Sequence, residues 1–472
     1  MATLLFNSYE FIFLYLPITF AVYFLLNRFR LTKVGIAWLA LASLFFYSWW
    51  NIANLPLMMG SILFNYTVGT MLAKGTLERV IRKKVLLILS ITANLLFLGY
   101  YKYADFFLEN LNFLLDTKFA FLHLVLPLGI SFFTFTQIAY LVDTYRGSSK
   151  EYNFINYVLF VTFFPHLIAG PILHHKEMMP QFENLRAKVI NWRNISHGLL
   201  LFGIGLFKKV IIADTFAGWA SPGFEAASLT FTEAWATALS YTFQLYFDFS
   251  GYTDMALGIA LLFNIRLPQN FNSPYKSNSI IDFWRRWHMT LSRFLRDYLY
   301  IALGGNRKGA FRRHLNLMIT MVLGGLWHGA AWTFVIWGFM HGAALVVNHF
   351  WRQLGFKMHW LLGRLLTFLF VVVAWVFFRA ESFTQAMVVL KGMVNWQNTG
   401  LLTGGITPAL PWGRKELIVL FLAFLFVTIW KNSSEWEKAF QPKWRWAVAA
   451  VVLIVAGIYG LNRVSEFLYF QF

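Results

Sequence analysis

The chain of 472 residues contains no cysteine. That absence excludes disulfides, thiolate nucleophiles, palmitoylation and cysteine-ligated metal. Charged residues are also scarce, at 13% of the sequence, whereas soluble domains carry about 25%. Hydrophobic residues make up 58% of the chain, and apolar runs near the roughly 20 residues that cross a bilayer recur from end to end. These features predict an all-α, polytopic membrane protein.

The apolar runs define the predicted spans, some of which we expect to be re-entrant or interfacial. No linker or internal repeat is visible, so residues 1–472 are predicted to form one integral-membrane domain. The runs are Phe11–Leu26, Val34–Trp50, Leu55–Ala73, Val85–Tyr101, Phe119–Leu141, Phe154–Leu173, Ser196–Ala213, Ala234–Phe263, Leu315–Trp327, Ala331–Phe350, Leu362–Phe378, Leu417–Trp430 and Trp446–Leu461.

Acidic residues are few, with 21 Asp and Glu against 40 Lys and Arg, for a net charge of +19. The basic residues cluster between the apolar runs, which is the positive-inside pattern of membrane proteins, so we expect no nucleic-acid partner. The loops Arg28–Lys33 and Lys74–Lys84 are basic, and the turn Asn51–Asn54 between them is uncharged. Both loops are therefore predicted to be cytoplasmic and the N-terminus to lie outside, with the first run a transmembrane helix and not a cleaved signal peptide.

The motif Trp327-His328-Gly329 places a histidine inside an apolar region. An ionisable residue there is costly and needs a partner or a function. Gly324 and Gly325 precede the motif, and glycine allows a bend or the close approach of a backbone or a substrate. The pattern favours proton-transfer chemistry at His328.

The depth of His328 follows from the basic loop before it. Arg313 lies fifteen residues earlier, which is roughly 22 Å along a helix in a bilayer core about 30 Å thick. The chain then returns through Ala331–Phe350. We therefore predict a helical hairpin with His328 near its deep end, toward the outer half of the membrane.

A second candidate site is a basic segment that we predict as one interfacial amphipathic helix from Asp282 to Leu299. At 100° per residue, His288 points away from a charged stripe, between Trp284 and Leu299. The stripe is either an ordinary cytoplasmic rim or a binding surface for the phosphates of an acyl donor, since guanidinium groups match phosphate geometry. His288 is equally compatible with a core position and with a function. The stripe consists of Asp282, Arg285, Arg286, Arg293, Arg296 and Asp297.

A third candidate site is the polar stretch Gln244–Asp254, which interrupts an apolar run. Its carboxylates, Asp248 and Asp254, need partners within a membrane. They are expected to pair with the arginine-rich helix, orient a histidine or bind a hydroxyl-bearing acceptor, and we favour a structural network. Tyr246 and Tyr252 belong to the same stretch.

Other histidines carry weaker signals. His341 is expected to have a packing or supporting role, and the adjacent His174 and His175 do not make a metal site by themselves. No ligand cluster predicts a bound metal. A phosphate-binding glycine loop is missing, which argues against an ATP-driven machine.

The sequence resembles the membrane-bound O-acyltransferase (MBOAT) family, most closely its branch of bacterial alginate O-acetyltransferases and D-alanyl transfer proteins. The matching segments cover nearly the whole chain: Leu5–Phe11, Ala169–Ile172, Tyr246–Met255, Phe283–His288, Arg296–Tyr300, Leu303–Arg307, Trp327-His328-Gly329 and the terminal Phe472. The resemblance implies that His328 is the catalytic histidine and His288 the second active-site histidine. It also implies a ring of about eleven or more helices around a thinned centre, with a funnel where donor and acceptor meet.

Acyl transfer also fits the residues themselves. A histidine is suited to take the proton of an acceptor hydroxyl near neutral pH, and without cysteine no thiol-linked acyl-enzyme can form. By the resemblance, the donor is a thioester such as acetyl-CoA, with no bound cofactor. The acceptor is a polysaccharide outside the bacterial inner membrane, reached directly or through a periplasmic acetyltransferase partner. Alginate, cellulose and peptidoglycan stay open as acceptors, and D-alanyl transfer to a cell-wall polymer stays open as an alternative reaction.

A different class of function is also considered, a proton-coupled transporter or channel. His328, Asp248 and Asp254 would then form a proton relay. The missing inverted repeat weighs against this alternative.

Overall fold

The computed structural model describes residues 4–74, 80–151, 153–399, 407–411, 413–441, 443–461 and 468. Within them the regular structure is helical, apart from an isolated bridge between Thr407 and Leu410. The predicted all-α fold is therefore confirmed. Residues 75–79 of the predicted basic loop and the terminal Phe472 lie outside the described residues.

The helices follow the apolar runs of the sequence. In chain order they are α1 (Leu16–Arg28), α2 (Thr32–Trp50), α3 (Asn54–Lys74), α4 (Val80–Leu115), α5 (Ile130–Tyr145), α6 (Phe154–Thr162), α7 (Phe164–Leu167), α8 (His175–Glu183), α9 (Trp192–Phe207), α10 (Asp214–Glu225), α11 (Phe231–Leu262), α12 (Ile280–Trp284), α13 (Met289–Phe294), α14 (Gly309–His328), α15 (Trp332–Gln353), α16 (Trp360–Arg379), α17 (Phe383–Val394), α18 (Arg414–Ile429), α19 (Ser433–Ala439) and α20 (Trp444–Gly460). π-Helical segments lie at Phe11–Tyr15, Lys208–Ala213 and Leu295–Tyr300, and 3₁₀ turns at Leu185–Lys188 and Pro274–Lys276.

The contacts of the chain define two compact units. The first contains Met1–Gly203, Tyr252–Pro268 and Gln441–Val451, and the second contains Ile204–Gly251, Gln269–Phe440 and Val452–Phe472. Helices α9, α11 and α20 contribute residues to both. Both candidate histidines, His288 and His328, belong to the second unit.

Several helices are long and apolar enough to cross a bilayer. Among the described residues these are Phe11–Arg28, Asn54–Lys74, Arg82–Leu115, Trp332–Gln353 and Trp360–Arg379. Helices α18 and α19, bent by 56° at their junction, have the form of a sixth, broken span or of a re-entrant loop. The chain therefore has the character of a membrane protein, while the count of eleven or more spans and the funnel stay predictions.

Two predicted runs are not continuous helices. In the run Phe119–Leu141, helix begins only at Ile130, after Pro127 and a left-handed Gly129 with φ 68°. In the run Phe154–Leu173, α6 ends at Thr162 and only a short turn of helix follows. Proline removes a backbone donor, and a left-handed residue is outside the helical region, so both features end a helix. Apolar composition does not register either feature, and the sequence analysis therefore did not reveal these breaks.

Candidate active site

His328 is the last residue of α14, and α15 begins four residues later at Trp332. The predicted hairpin with His328 at its turn is therefore confirmed. The side chain is buried, with the residue only 4% exposed. Its imidazole meets Trp337 at 5.2 Å and Phe378 at 5.0 Å between ring centroids, both edge to face. An apolar aromatic wall thus surrounds the histidine.

The glycines near His328 serve the packing of the hairpin. A Cβ on Gly325 would lie 2.3 Å from the carbonyl oxygen of Phe334, and one on Gly338 would lie 2.4 Å from that of Met321. Each helix of the hairpin thus presents a glycine to the other backbone. The absence of a side chain at Gly325 lets the backbone of α15 come close to α14. This close packing holds the end of α14 that carries His328 against α15.

His288 occupies a break between two short helices and not a helix face. The prediction of one continuous helix from Asp282 to Leu299 is wrong, because α12 ends at Trp284, α13 begins at Met289, and the chain continues as a π-helix from Leu295. His288 itself has φ 42°, a left-handed conformation that costs a non-glycine residue conformational energy. It is fully buried, in line with the prediction that its ring points into the protein.

Both imidazoles contact the same indole. The ring of Trp327 lies 4.9 Å from that of His328 and 6.3 Å from that of His288. On its other side, His288 meets Phe249 at 4.8 Å with the two rings perpendicular. The structure therefore brings together the two histidines that the sequence analysis selected, forty residues apart, in one aromatic cluster.

The segment around Asn270 fixes the position of His288. The Nδ1 atom of His288 lies 3.1 Å from Asn270 Oδ1, which also accepts hydrogen bonds from the backbone N–H and the hydroxyl of Thr290 at 3.2 and 2.9 Å. The Met289 N–H donates to the Asn270 carbonyl at 2.9 Å, and the Asn272 N–H donates to the Arg286 carbonyl at 2.9 Å. These contacts replace the helical bonds that the break removes.

The arginine stripe is consequently divided between several elements. Arg286 forms an ion pair with Asp282 at 2.9 Å, and Arg296 donates to both carboxylate oxygens of Asp297 at 2.6 and 3.0 Å. The hydrogen bond to Asp297 raises the pKa of Arg296 above its ordinary value, so this side chain stays charged. Arg285 is exposed and Arg293 half-buried. The stripe is therefore not one face of a single helix, as predicted, because its residues belong to separate short elements.

Asp248 is the buried carboxylate of a lysine-centred network. Lys209 Nζ lies 2.8 Å from Asp248 Oδ1 and 2.9 Å from Asp214 Oδ1, and Asp248 Oδ2 accepts the backbone N–H of Leu468 at 3.2 Å. A Cβ on Gly251 would lie 2.8 Å from the carbonyl oxygen of Gly205, so glycine lets α11 come close to the chain that carries Lys209. The carboxylate of Asp248 therefore pairs with a lysine. It does not pair with the arginine-rich segment or with a histidine, which were the two protein partners considered from the sequence.

The remaining residues of the third candidate site are dispersed. The polar stretch lies inside one helix, since α11 runs without a break from Phe231 to Leu262, as the predicted run Ala234–Phe263 required. The ring of Tyr246 packs against those of Tyr275 and Trp287 in the second unit. Tyr252 stacks on Phe6 at 4.7 Å in the first unit, and the neighbouring Asp254 is buried in that unit too.

The other histidines hold structural contacts. His341 is fully buried and accepts a hydrogen bond from the Trp284 indole at 3.2 Å, which agrees with the packing role expected for it. His174 lies 3.5 Å from Asp143, and His175 lies 3.4 Å from Glu151. Among the described residues no group of three or more potential ligands is arranged to hold a metal ion.

Sequence reasoning missed Asn270 and Lys209. Asn270 carries no motif, and its eighteen-residue separation from His288 gives no periodic signal. The pairing of Lys209 could have been inferred from the sequence, because a Lys-Lys pair inside the apolar run Ser196–Ala213 needs carboxylate partners and Asp248 needs a cation.

The described residues combine apolar helices long enough to cross a membrane with two buried histidines in one aromatic cluster. Residues 84–387 match the membrane-bound O-acyltransferase family. The chain belongs to that family and is an acyltransferase.

Two bacterial relatives match nearly the whole chain, and a third matches about half of it. A "Peptidoglycan O-acetyltransferase" of Helicobacter pylori is 46% identical, covering 99% of this chain and 98% of the relative. A "Probable alginate O-acetylase AlgI" of Pseudomonas aeruginosa is 42% identical, over 92% of this chain and 84% of the relative. A "Teichoic acid D-alanyltransferase" of Bacillus subtilis is more distant, with 29% identity over 55% of this chain and 70% of the relative.

Proposed function

We propose that the protein is an O-acetyltransferase of the bacterial inner membrane, with its N-terminus outside. It transfers an acetyl group from a cytoplasmic thioester, acetyl-CoA or an acyl carrier, toward the hydroxyl groups of a polysaccharide outside the membrane. The observation that carries the proposal is the contact of the two buried imidazoles of His288 and His328 with one indole, Trp327. The names of the two more similar relatives support acetyl as the group and peptidoglycan or an alginate-like polymer as the acceptor.

His328 is the proposed general base. It takes the proton of the acceptor hydroxyl while the hydroxyl oxygen attacks the thioester carbonyl carbon. The carbon–sulfur bond then breaks, and the departing thiolate receives the proton from the imidazolium. General-base catalysis of this kind contributes about 10²–10⁴-fold to the rate. His288 acts beside it, by polarising the donor carbonyl or orienting the acceptor.

The aromatic wall makes this chemistry selective. Trp337 and Phe378 contact His328 edge to face, and we propose that these apolar rings exclude water from the base. Exclusion of water strengthens the electrostatic interactions within a site and prevents hydrolysis of a reactive group. A thioester held there is transferred to a sugar hydroxyl in preference to water.

The donor enters from the side of the arginines in this proposal. The four arginines of the stripe offer charge to the phosphates of the donor, and Arg286 and Arg296 also pair with Asp282 and Asp297. Guanidinium groups bind phosphate in two-pronged geometry. The arginines of the stripe thus lie on separate short elements, and we still expect them to bind the phosphates of the acyl donor.

The acceptor is reached directly or by relay. A relay would pass the acetyl group through the hydroxyl of a periplasmic acetyltransferase partner, because this chain has no cysteine to carry it. The buried network of Asp248 is proposed as support for the site, and Tyr246, Tyr252 and Asp254 are proposed to have structural roles.

The test uses purified protein in proteoliposomes with radiolabelled acetyl-CoA and either a soluble peptidoglycan or an alginate fragment as acceptor. His328→Gln keeps hydrogen-bonding capacity but is a poor base, so we expect a loss of at least about 100-fold in kcat. The matched control is His166→Gln, another buried histidine, which lies in the first unit and contacts a backbone carbonyl. Near-normal acetyl transfer by His328→Gln would refute the base assignment. Turnover with D-alanyl donors alone would refute the choice of acetyl.

A further inference from the structure

We propose that Asn270 is a positioning residue that fixes the tautomer of His288, with the proton on Nδ1 and the basic lone pair on Nε2. The inference rests on the proposed function only for its catalytic consequence. The tautomer itself is a property of the structure and is measurable without any assay of activity.

Two donors of Thr290 contact the side-chain oxygen of Asn270. The backbone N–H of Thr290 can only donate, so the Asn270 side-chain atom that it contacts at 3.2 Å must be the amide oxygen. The Thr290 hydroxyl donates to the same oxygen at 2.9 Å. The orientation of the amide is therefore fixed by backbone chemistry, independently of the histidine.

The tautomer follows from that orientation. His288 Nδ1 lies 3.1 Å from the same oxygen. Two lone pairs facing each other at this distance would repel, so Nδ1 must carry a proton and donate it. In a neutral imidazole the other nitrogen is then the acceptor. The Nε2 atom of His288 is consequently the one that can take a proton or accept a hydroxyl hydrogen.

The backbone holds the same arrangement. Asn270 accepts the Met289 N–H on its carbonyl, while Asn272 donates to the Arg286 carbonyl, so the two segments are joined on both sides of His288. The left-handed conformation of His288, with φ 42°, is maintained by these bonds. Asn270 thus controls both the direction of the ring and the position of its proton.

A neutral amide is the suitable partner for this task. A carboxylate at the same place would also accept from Nδ1, but it would stabilise the imidazolium and raise the pKa of His288. An amide oxygen orients the ring and leaves the imidazole neutral, so Nε2 keeps its lone pair. The surroundings agree, since Phe249 and Trp327 beside the ring carry no charge.

The experiment is nitrogen NMR of protein with ¹⁵N-labelled histidine, in which the His288 signals are identified by their loss in His288→Gln. We expect the Nδ1–H tautomer in the wild type and in Asn270→Asp. In Asn270→Leu, which has similar volume and no acceptor, we expect a mixture of tautomers. The matched control is Asn316→Leu, since Asn316 is also fully buried and donates to a backbone carbonyl in the same unit. It should leave the His288 signals unchanged.

Activity separates this inference from the proposed function. We expect Asn270→Leu to lower kcat at least about tenfold with little change in donor KM. We expect Asn270→Asp to raise the pH at which His288 titrates in the NMR spectrum. An Nε2–H tautomer in the wild type, or a titration unchanged in Asn270→Asp, overturns the inference even if Asn270→Leu fails to fold. If His288→Gln stays active while the tautomer depends on Asn270, the positioning stands and the catalytic role of His288 is refuted.

Discussion

In the buried lysine network of the second unit, we expect the loss of Lys209 to destabilise the protein more than the loss of the Asp248 charge. Lys209 faces two carboxylates, with Nζ at 2.9 Å from Asp214 and 2.8 Å from Asp248. All three side chains are nearly inaccessible, at 3%, 6% and 2% exposure. Lys209→Met leaves two like charges buried near each other without the lysine between them. Asp248→Asn leaves a single Lys209–Asp214 pair, together with an amide that still accepts a hydrogen bond.

The magnitudes follow from these two situations. Breaking a buried ion pair by removing one partner costs about 3–5 kcal/mol, and Lys209→Met falls at the upper end because two carboxylates lose their cation. Asp248→Asn loses a hydrogen bond between charged groups, about 1.5–3 kcal/mol. We therefore expect Lys209→Met to lower the unfolding midpoint clearly more than Asp248→Asn.

The assay is thermal unfolding of the purified protein in one detergent at fixed concentration, combined with the acetyl-transfer rate per folded molecule. Both variants should keep most of their activity below the unfolding temperature, because we propose that the network supports the site and does not enter the reaction. A hundredfold loss of kcat in Asp248→Asn at an unchanged midpoint would refute this reasoning. It would place the carboxylate in the chemistry or, if ion flux accompanied it, in a proton relay.

Two further predictions concern the donor and the membrane topology. Arg293→Gln and Arg296→Gln should each raise the apparent KM for acetyl-CoA several-fold with a smaller change in kcat, in steady-state kinetics on folded protein; unchanged donor dependence would leave these arginines as a topology signal. In the cysteine-free chain, Leu31→Cys should resist an impermeant thiol reagent in intact cells and react in inverted vesicles. The exposed Ile52→Cys should show the opposite pattern, and reversed labelling of the pair would invert the predicted orientation.

The hairpin of His328 was predictable because its signals are local. A basic loop, an apolar run, a turn and a returning run follow one another in the sequence, and the helical rise converts their spacing into depth. The need of Asp248 for a partner was also predictable, since a buried carboxylate is costly anywhere in the chain. The identity of that partner was not, because Lys209 precedes Asp248 by thirty-nine residues and no period connects them.

The helix from Asp282 to Leu299 was mispredicted for a related reason. Its charges fit a helical period, and neither glycine nor proline marks the break at His288. The break is imposed from outside the segment, by hydrogen bonds to Asn270 and Asn272. Local pattern gives the preferred conformation of a segment, but bonds from a distant segment can outweigh it, most often at functional positions where the strain is useful.

The break at His288 gives the candidate site its geometry. On a continuous helix the ring of His288 would be fixed by its neighbours one turn away, and its direction could not be set independently of the arginines. The left-handed conformation separates the two, so that Arg286 pairs with Asp282 while His288, two residues later, faces Phe249 and Trp327. The conformational cost at one residue is therefore offset by hydrogen bonds from Asn270. The break therefore lets the charged side chain of Arg286 and the buried imidazole of His288, which we propose for donor binding and for catalysis, lie within two residues of each other.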